Sequence, residues 1–153
     1  MVAVLVATAT PAPAPAYTVD PDLPLCYTEA DVVDIAKVLY RECRGQKSRT
    51  EQACVAWVIC NRADARNATI HDVVRAPGQF AWNEDTPVLD DLYELAEDVL
   101  IRWDSEHRGG VLVGRVLPRE YQWFHGAEGH NWFKSAYKGG AIWDYSLESP
   151  YRT

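Results

Sequence analysis

The feature that most constrains the fold is the eight-residue stretch from Ala53 to Cys60, which is apolar at every position. A helix without a polar face cannot lie on a surface, so this stretch predicts a helix at the centre of the core. Ser48, with Glu51 three residues later, predicts a capping box at the start of that helix. Asn61, at its other end, is interpreted as a helix cap.

Amphipathic patterns on either side predict the helices that cover this core helix. Thr28 and Asp31 predict the N-cap of a first helix, which apolar residues at helical spacing extend to about Glu42. A short helical turn is predicted over residues 69–74. A long amphipathic helix is predicted over residues 87–103, where apolar residues recur every three or four positions.

The C-terminal third has a different residue pattern, which favours strands and loops over helices. Strand-like runs at 111–117 and 121–124 are separated by Pro118, and a loop rich in Gly and Trp is predicted after them. The fold class predicted is therefore α+β, dominated by helices, with a small β-rich, aromatic C-terminal part. Residues 26–153 are predicted to form one domain, which suits a chain of 153 residues.

Residues 1–25 are predicted to lie outside that domain. Small apolar residues are followed there by an alternation of Pro and Ala, which favours extended polyproline structure over packing. Two interpretations remain open, a signal-peptide remnant without its basic region and a Pro/Ala linker. No apolar run reaches the roughly 20 residues that span a bilayer, so no membrane insertion is expected.

The net charge of the chain limits the classes of partner that are expected. The net charge is -7, from 15 basic and 22 acidic residues. An acidic chain does not favour a phosphate backbone, so nucleic acid is not an expected partner, whereas a neutral, hydroxyl-rich glycan is compatible with it. The four cysteines fit either one or two disulfides of an oxidising compartment or buried free thiols: Cys26, Cys43, Cys54 and Cys60.

Glu42 is the main candidate for chemistry. It continues the apolar stripe of residues 35–39 and stands at the C-terminus of its helix. Desolvation and the negative end of the helix dipole both disfavour a charged carboxylate, and a general acid must keep its proton near neutral pH. Arg41 and Arg44 are expected to point outward. The plain alternative is a solvated glutamate in a final helical turn.

Three stretches resemble the SleB-type cell-wall hydrolases, which are related to spore-cortex-lytic enzymes. They are Leu-Tyr-Arg-Glu-Cys-Arg-Gly at 39–45, Val-Ile-Cys-Asn-Arg at 58–62 and Val-Val-Arg-Ala-Pro-Gly-Gln-Phe at 73–80. Their order and spacing agree with the family over residues 28 to about 105. The resemblance implies a lysozyme-like fold, peptidoglycan as substrate, and Glu42 as the catalytic acid of a domain spanning 26–153.

The chain also departs from that family. Arg41 and Cys43 stand where the family has alanines, and Gln46 stands where it has a second acid. The segment 121–133 is less similar to the cortex enzymes. Site residues within this segment therefore depend less on the resemblance.

Cleavage of a glycosidic bond requires a proton on the leaving oxygen and stabilisation of an oxocarbenium-like centre. Candidates for a second carboxylate are Glu84, Asp85, Glu120 and Asp144, none of which stands in a motif. Alternatively, an N-acetylated sugar uses its own acetamido oxygen, and one glutamate serves as acid and then as base to leave a 1,6-anhydro end. The expected function is this lytic transglycosylase reaction at the N-acetylmuramyl–N-acetylglucosaminyl bond, with Glu42 acting alone.

Sugar contacts are expected from an amide and from aromatic faces, because aromatic rings stack on the apolar faces of pyranoses. For each Trp, packing in the core is the alternative. Trp132 is a further aromatic residue on which a sugar ring could stack. The expected substrate-binding residues are Gln79, Phe80, Trp82, Tyr121, Trp123 and Asn131.

The sequence gives less support to other functions. The four histidines are scattered and form no helical ligand pattern, so neither a metal nor another cofactor is expected. Cys43 lies at the helix end that disfavours a thiolate, which argues against a cysteine nucleophile. The main alternative is a non-catalytic module that binds peptidoglycan glycan strands. The chain is expected to be a monomer that is secreted or associated with the cell wall, and phage or spore association remains open.

Overall fold

The computed structural model describes Asp22 and residues 24–46, 48–109 and 115–143. The predicted domain boundary near residue 25 lies at the edge of these residues. Of the strand predicted at 111–117, residues 111–114 fall outside them, and residues 115–117 are described but form no strand. The described part is α+β and rich in helix, as predicted, with a two-stranded antiparallel hairpin. Its elements are α1 (Glu29–Cys43), α2 (Arg49–Arg66), α3 (Ile70–Arg75), α4 (Asp90–His107), β1 (Trp123–Ala127) and β2 (His130–Lys134).

Helix α2 forms the centre of the core, as its apolar sequence predicts. All residues from 50 to 63 are buried, and Trp57 is fully enclosed. The other three helices and both strands contact α2. The predicted central helix is confirmed, and it extends to Arg66, beyond the apolar stretch.

The cap predicted at Asn61 is wrong. The helix ends instead at Asn67, which adopts a left-handed conformation with φ of 49° that asparagine tolerates. The buried Asn61 amide donates to the carbonyl oxygens of Pro118 and Tyr121, each at 2.9 Å. Asn61 therefore fastens the segment before the hairpin to the core helix.

The helix starts follow the predicted capping residues, with one exception. Thr28 and Asp31 form a reciprocal capping box at the start of α1. At α2, Ser48 Oγ accepts from the amide of Glu51 at 3.2 Å, so the N-cap is confirmed. The second half of that predicted box is wrong, because the Glu51 carboxylate accepts instead from the amide of Asn131 in β2.

The hairpin supplies both strands of the described residues, and Ile142 adds an isolated bridge to Lys134. Ala127 pairs with His130 across a two-residue turn, in which Glu128 and Gly129 both have positive φ, at 56° and 77°. The strand predicted over 121–124 is confirmed only from Trp123 onward. Residues 130–134 were predicted as loop and instead form β2, whose enclosed Phe133 faces the core.

In the part of the chain that the structure describes, none of the helices combines the length and the apolar character that crossing a membrane requires.

All four cysteines are free, so the buried-thiol interpretation holds in this structure for three of them. Cys43, Cys54 and Cys60 are buried, and Cys26 is exposed. Burial raises the pKa of each of the three enclosed thiols well above its ordinary value.

A thiol titration checks this arrangement. Because the three enclosed thiols stay protonated and covered, we expect one fast-reacting thiol per native chain, at Cys26. A chromogenic disulfide reagent at pH 8 should report four thiols only after denaturation. Fast reaction of a second thiol in the native chain would contradict the placement of these cysteines, and the Cys26→Ser variant, with no fast-reacting thiol, is the control.

Candidate active site

Glu42 lies in the last turn of α1, where its carboxyl group meets the loop that follows α3. The side chain is half-buried, and Oε1 accepts from the backbone amide of Ala81 at 2.8 Å. Its other oxygen, Oε2, has no partner among the described residues. The enclosed setting expected for Glu42 is thus only partly present, because a loop rather than a helix covers it. The side chain is nevertheless held in place and is not a freely solvated final-turn glutamate.

The two arginines that flank Glu42 have partners elsewhere. Arg41 Nε donates to Thr86 Oγ1 at 2.7 Å. The exposed Arg44 lies over the ring of Tyr40, with 4.5 Å from its guanidinium carbon to the ring centroid. Both arginines are exposed, as expected, and neither forms a described ion pair with Glu42.

The loop that meets Glu42 spans residues 76–82. It turns at Gly78, whose φ of 70° favours glycine, and the amide of Gln79 donates to the carbonyl of Ala76 at 3.2 Å. A second close contact, from the amide of Trp82 to the carbonyl of Phe80 at 2.9 Å, ends the loop. The loop therefore holds its backbone in a defined shape next to the carboxyl group.

Trp82 anchors the far end of this loop. The guanidinium of Arg75 lies 4.2 Å from the centroid of its ring, and the ammonium of Lys37 lies 5.7 Å away. Both oxygens of Asp34, which is 4 % exposed, accept from Arg75 and so fix that cation. The half-buried indole is thus covered by cations, and the structure gives Trp82 an anchoring position rather than an open sugar platform.

A cleft of about 270 Å³ opens on the other side of the same loop. Two of the expected sugar contacts, Gln79 and Trp123, line it together. Phe80 lies beside it, with its ring 6.3 Å from that of Phe124 and 4.6 Å beneath the guanidinium of Arg62. Charged and aromatic side chains at the wall of the cleft include Arg62, Trp123, Phe124, His125 and Lys134.

The remaining expected sugar contacts lie elsewhere. Tyr121 is 7 % exposed and meets the ring of Trp143 edge-on, and Asn131 is 5 % exposed. Both side chains are buried, so neither forms the open sugar-binding surface that was expected. Trp132 is half-buried, and its indole nitrogen donates to the carbonyl of Ala127 within the hairpin at 3.1 Å.

No candidate for a second carboxylate among the described residues lines the cleft. Glu84, Asp85 and Glu120 are exposed and do not line it, and Asp144 lies outside the described residues. Within the described ranges, no group of three His, Cys, Asp or Glu side chains is arranged to hold a metal ion. Of the expected acids, Glu42 is the one whose carboxyl group is held by the loop that lines the cleft.

Sequence reasoning missed the basic side chains of the cleft. Arg62 stood in a stretch that resembles the cell-wall hydrolases, but the pattern gave no reason to place it in a cleft. Lys134 was part of a predicted loop, and only its place in β2 brings it opposite Trp123.

One loop therefore connects the candidate acid to the cleft. Residues 78 and 79 line the cleft, and the amide of Ala81 holds Glu42. No protein-family model matches the chain, and neither a curated protein nor a solved structure shows significant similarity to it. Function is therefore inferred from this geometry and from the stretches that resemble the SleB-type hydrolases.

Proposed function

We propose that the chain cleaves the glycan strands of peptidoglycan, with Glu42 as its acid, on a helical domain of lysozyme-like type. The observation that carries this proposal is the half-buried Glu42 carboxyl, held by the amide of Ala81 in a loop that also lines a cleft. A cell-wall substrate implies a secreted or wall-associated protein. The three stretches that resemble SleB-type hydrolases support the same function.

The geometry at Glu42 suits proton transfer. The Ala81 amide fixes one oxygen, so the orientation of the carboxyl group is set before a substrate arrives. The second oxygen has no partner in the described structure, so it is available to carry the proton. A positioned carboxylic acid of this kind protonates the leaving oxygen of a glycosidic bond.

The reaction proceeds through a single glutamate in our proposal. Glu42 donates its proton to the oxygen that leaves C1 of the muramyl sugar, and the acetamido oxygen of that sugar attacks C1 as the bond breaks. The Glu42 carboxylate then takes the proton of the C6 hydroxyl. The C6 oxygen attacks C1 and displaces the acetamido oxygen, which leaves a 1,6-anhydro end without consuming water.

A glycan-binding module without catalysis is the second candidate. The observation that favours it is the cleft itself, where an indole and an amide stand together at Trp123 and Gln79. Aromatic faces and amides bind sugars whether or not a reaction follows. An oriented acid, held by the loop that lines the cleft, favours the enzyme over this module.

Incubation with purified, insoluble peptidoglycan separates the two functions. The enzyme is expected to release soluble muropeptides that accumulate with time, because each cut shortens a strand. Protein in the pellet and soluble sugar in the supernatant are measured together. Stable binding without soluble product would support the binding module and contradict the proposed activity.

A further inference from the structure

The cleft beside the 76–82 loop carries positive charge that no described carboxylate balances. Two cations, Arg62 and Lys134, line it, and no Asp or Glu does so among the described residues. The chain as a whole has a net charge of -7, so the sign at this cleft is locally reversed. Buried charges in proteins are normally paired, and an unbalanced cluster next to a cleft indicates an anionic ligand.

Arg62 is the more enclosed of these two cations. It is only 6 % exposed, and its acceptors are neutral: the carbonyl of Gln122 at 2.7 Å and Oε1 of Gln79 at 3.1 Å. Arg66 donates to the same Gln79 oxygen at 3.2 Å. Burial, and then the neighbouring charge of Arg66, lower the pKa of Arg62 to about 10. Two guanidinium groups thus converge on one amide oxygen, and an anion nearby would relieve their repulsion.

Lys134 adds a second cation from the hairpin. It pairs with Trp123 across the two strands, and directly opposite side chains lie on the same face of a sheet. The described partner of its ammonium is the carbonyl of Tyr137 at 3.2 Å, which is neutral. The cleft therefore offers an indole face and an ammonium group side by side, an arrangement that suits a sugar carrying an acidic substituent.

We propose that this cleft binds a carboxylate of the peptidoglycan strand, with Arg62 and Lys134 as the cationic contacts. The inference rests on the proposed function, and it names the feature of the substrate that the protein selects. Two sources supply such a carboxylate: the lactyl group of a muramic acid without peptide, and the stem peptide of a substituted one. A polymer of N-acetylglucosamine alone has neither.

The position of the cleft explains how this selection acts on cleavage. Gln79 lines the cleft, and the amide of Ala81 holds Glu42. Because Gln79 and Ala81 are two positions apart in the chain, their Cα atoms are separated by at most about 7.6 Å. Because the loop that lines the cleft also holds Glu42, a carboxylate bound by Arg62 and Lys134 fixes the strand relative to that loop. Muramyl linkages are then presented to Glu42 in preference to linkages between uncharged sugars.

Calorimetric titration of the full chain with three disaccharide probes tests this site. The probes are N-acetylglucosaminyl-N-acetylmuramic acid with a free lactyl carboxylate, the same disaccharide carrying a tetrapeptide, and uncharged diacetylchitobiose. Lys134→Gln is expected to weaken binding of a carboxylate probe roughly tenfold, the effect of one hydrogen bond to a charged group. Binding of diacetylchitobiose should not change. Whichever carboxylate probe shows the loss identifies the source.

Two further variants make the result specific. Lys138→Gln removes the same charge from an exposed lysine that does not line the cleft, and it should bind all probes like the wild type. Lys134→Arg keeps the cation and should retain carboxylate binding. Circular dichroism confirms that each variant is folded.

The site is refuted if the wild type binds no carboxylate probe, if it binds diacetylchitobiose equally well, or if Lys134→Gln binds all probes like the wild type. If the chain binds the carboxylate probes but releases no muropeptides, the proposed function is contradicted and the proposed carboxylate site is still supported. Cleavage of strands without any preference for carboxylates would contradict the cleft alone.

Discussion

Glu42→Gln is expected to reduce the release of soluble muropeptides from peptidoglycan by a factor of about 10²–10⁴, the usual contribution of a positioned acid. The amide oxygen of glutamine can still accept from the Ala81 amide, so the loop should keep its position. What the variant lacks is the proton for the leaving oxygen. The loss should therefore fall on the rate of cleavage while the affinity for the glycan remains close to that of the wild type.

The control for this experiment uses other acids of the chain. Glu84→Gln and Glu120→Gln change exposed carboxylates that the proposed reaction does not use, so both should keep wild-type activity. Thermal unfolding of all three variants separates loss of chemistry from loss of fold. Full activity of Glu42→Gln would remove Glu42 from the mechanism, and inactivity of Glu120→Gln with normal stability would show that a second carboxylate takes part.

Glu51→Ala is expected to lower the free energy of unfolding by about 3 kcal/mol. Glu51 is completely buried, and its carboxylate accepts from the amide of Asn131 and lies 3.3 Å from Nδ1 of His130. Alanine leaves the Asn131 amide buried without its acceptor and opens a cavity between α2 and β2. Each of these effects is a known cause of large destabilisation.

Urea denaturation and thermal unfolding measure this effect. For a chain of this size, a loss of about 3 kcal/mol lowers the melting temperature by roughly 6–12 °C. Glu51→Gln keeps an acceptor for the Asn131 amide and should lose less stability. His130→Ala removes the partly exposed partner and should cost about 1 kcal/mol or less. A Glu51→Ala variant as stable as the wild type would show that this contact does not hold the hairpin.

The helices could be predicted from the sequence because their causes are local. The uniform apolarity of 53–60 is sufficient to place α2 in the core, and Thr28 with Asp31 is sufficient to place the start of α1. The roles of Asn61 and Glu51 depend on partners 60 and 80 residues away, and no local pattern contains them. Strand β2 was missed because its glycine-flanked, partly polar sequence is also typical of a loop.

Two residues of the cleft could be predicted from the sequence, Gln79 from a motif and Trp123 from its aromatic ring. Gln79 and Trp123 were expected to touch sugar, and the fold brings them to one cleft although 44 positions separate them. Tyr121 and Asn131 were misplaced because a sequence does not show which polar or aromatic side chains become buried around a hairpin. Arg62 could not be predicted as a cleft residue, because its burial and its neutral hydrogen-bond acceptors are visible only in the structure.

Mass spectrometry of the soluble fragments released from purified peptidoglycan tests the central claim most directly. The wild-type chain is expected to release disaccharide-peptides that are one water lighter than those with a reducing sugar, and Glu42→Gln is expected to release almost none. Fragments with reducing ends would contradict closure by the C6 hydroxyl and show that water is the acceptor. The absence of fragments from the wild type, or equal yields from Glu42→Gln, would contradict the assignment of Glu42 as the acid that cleaves the strand.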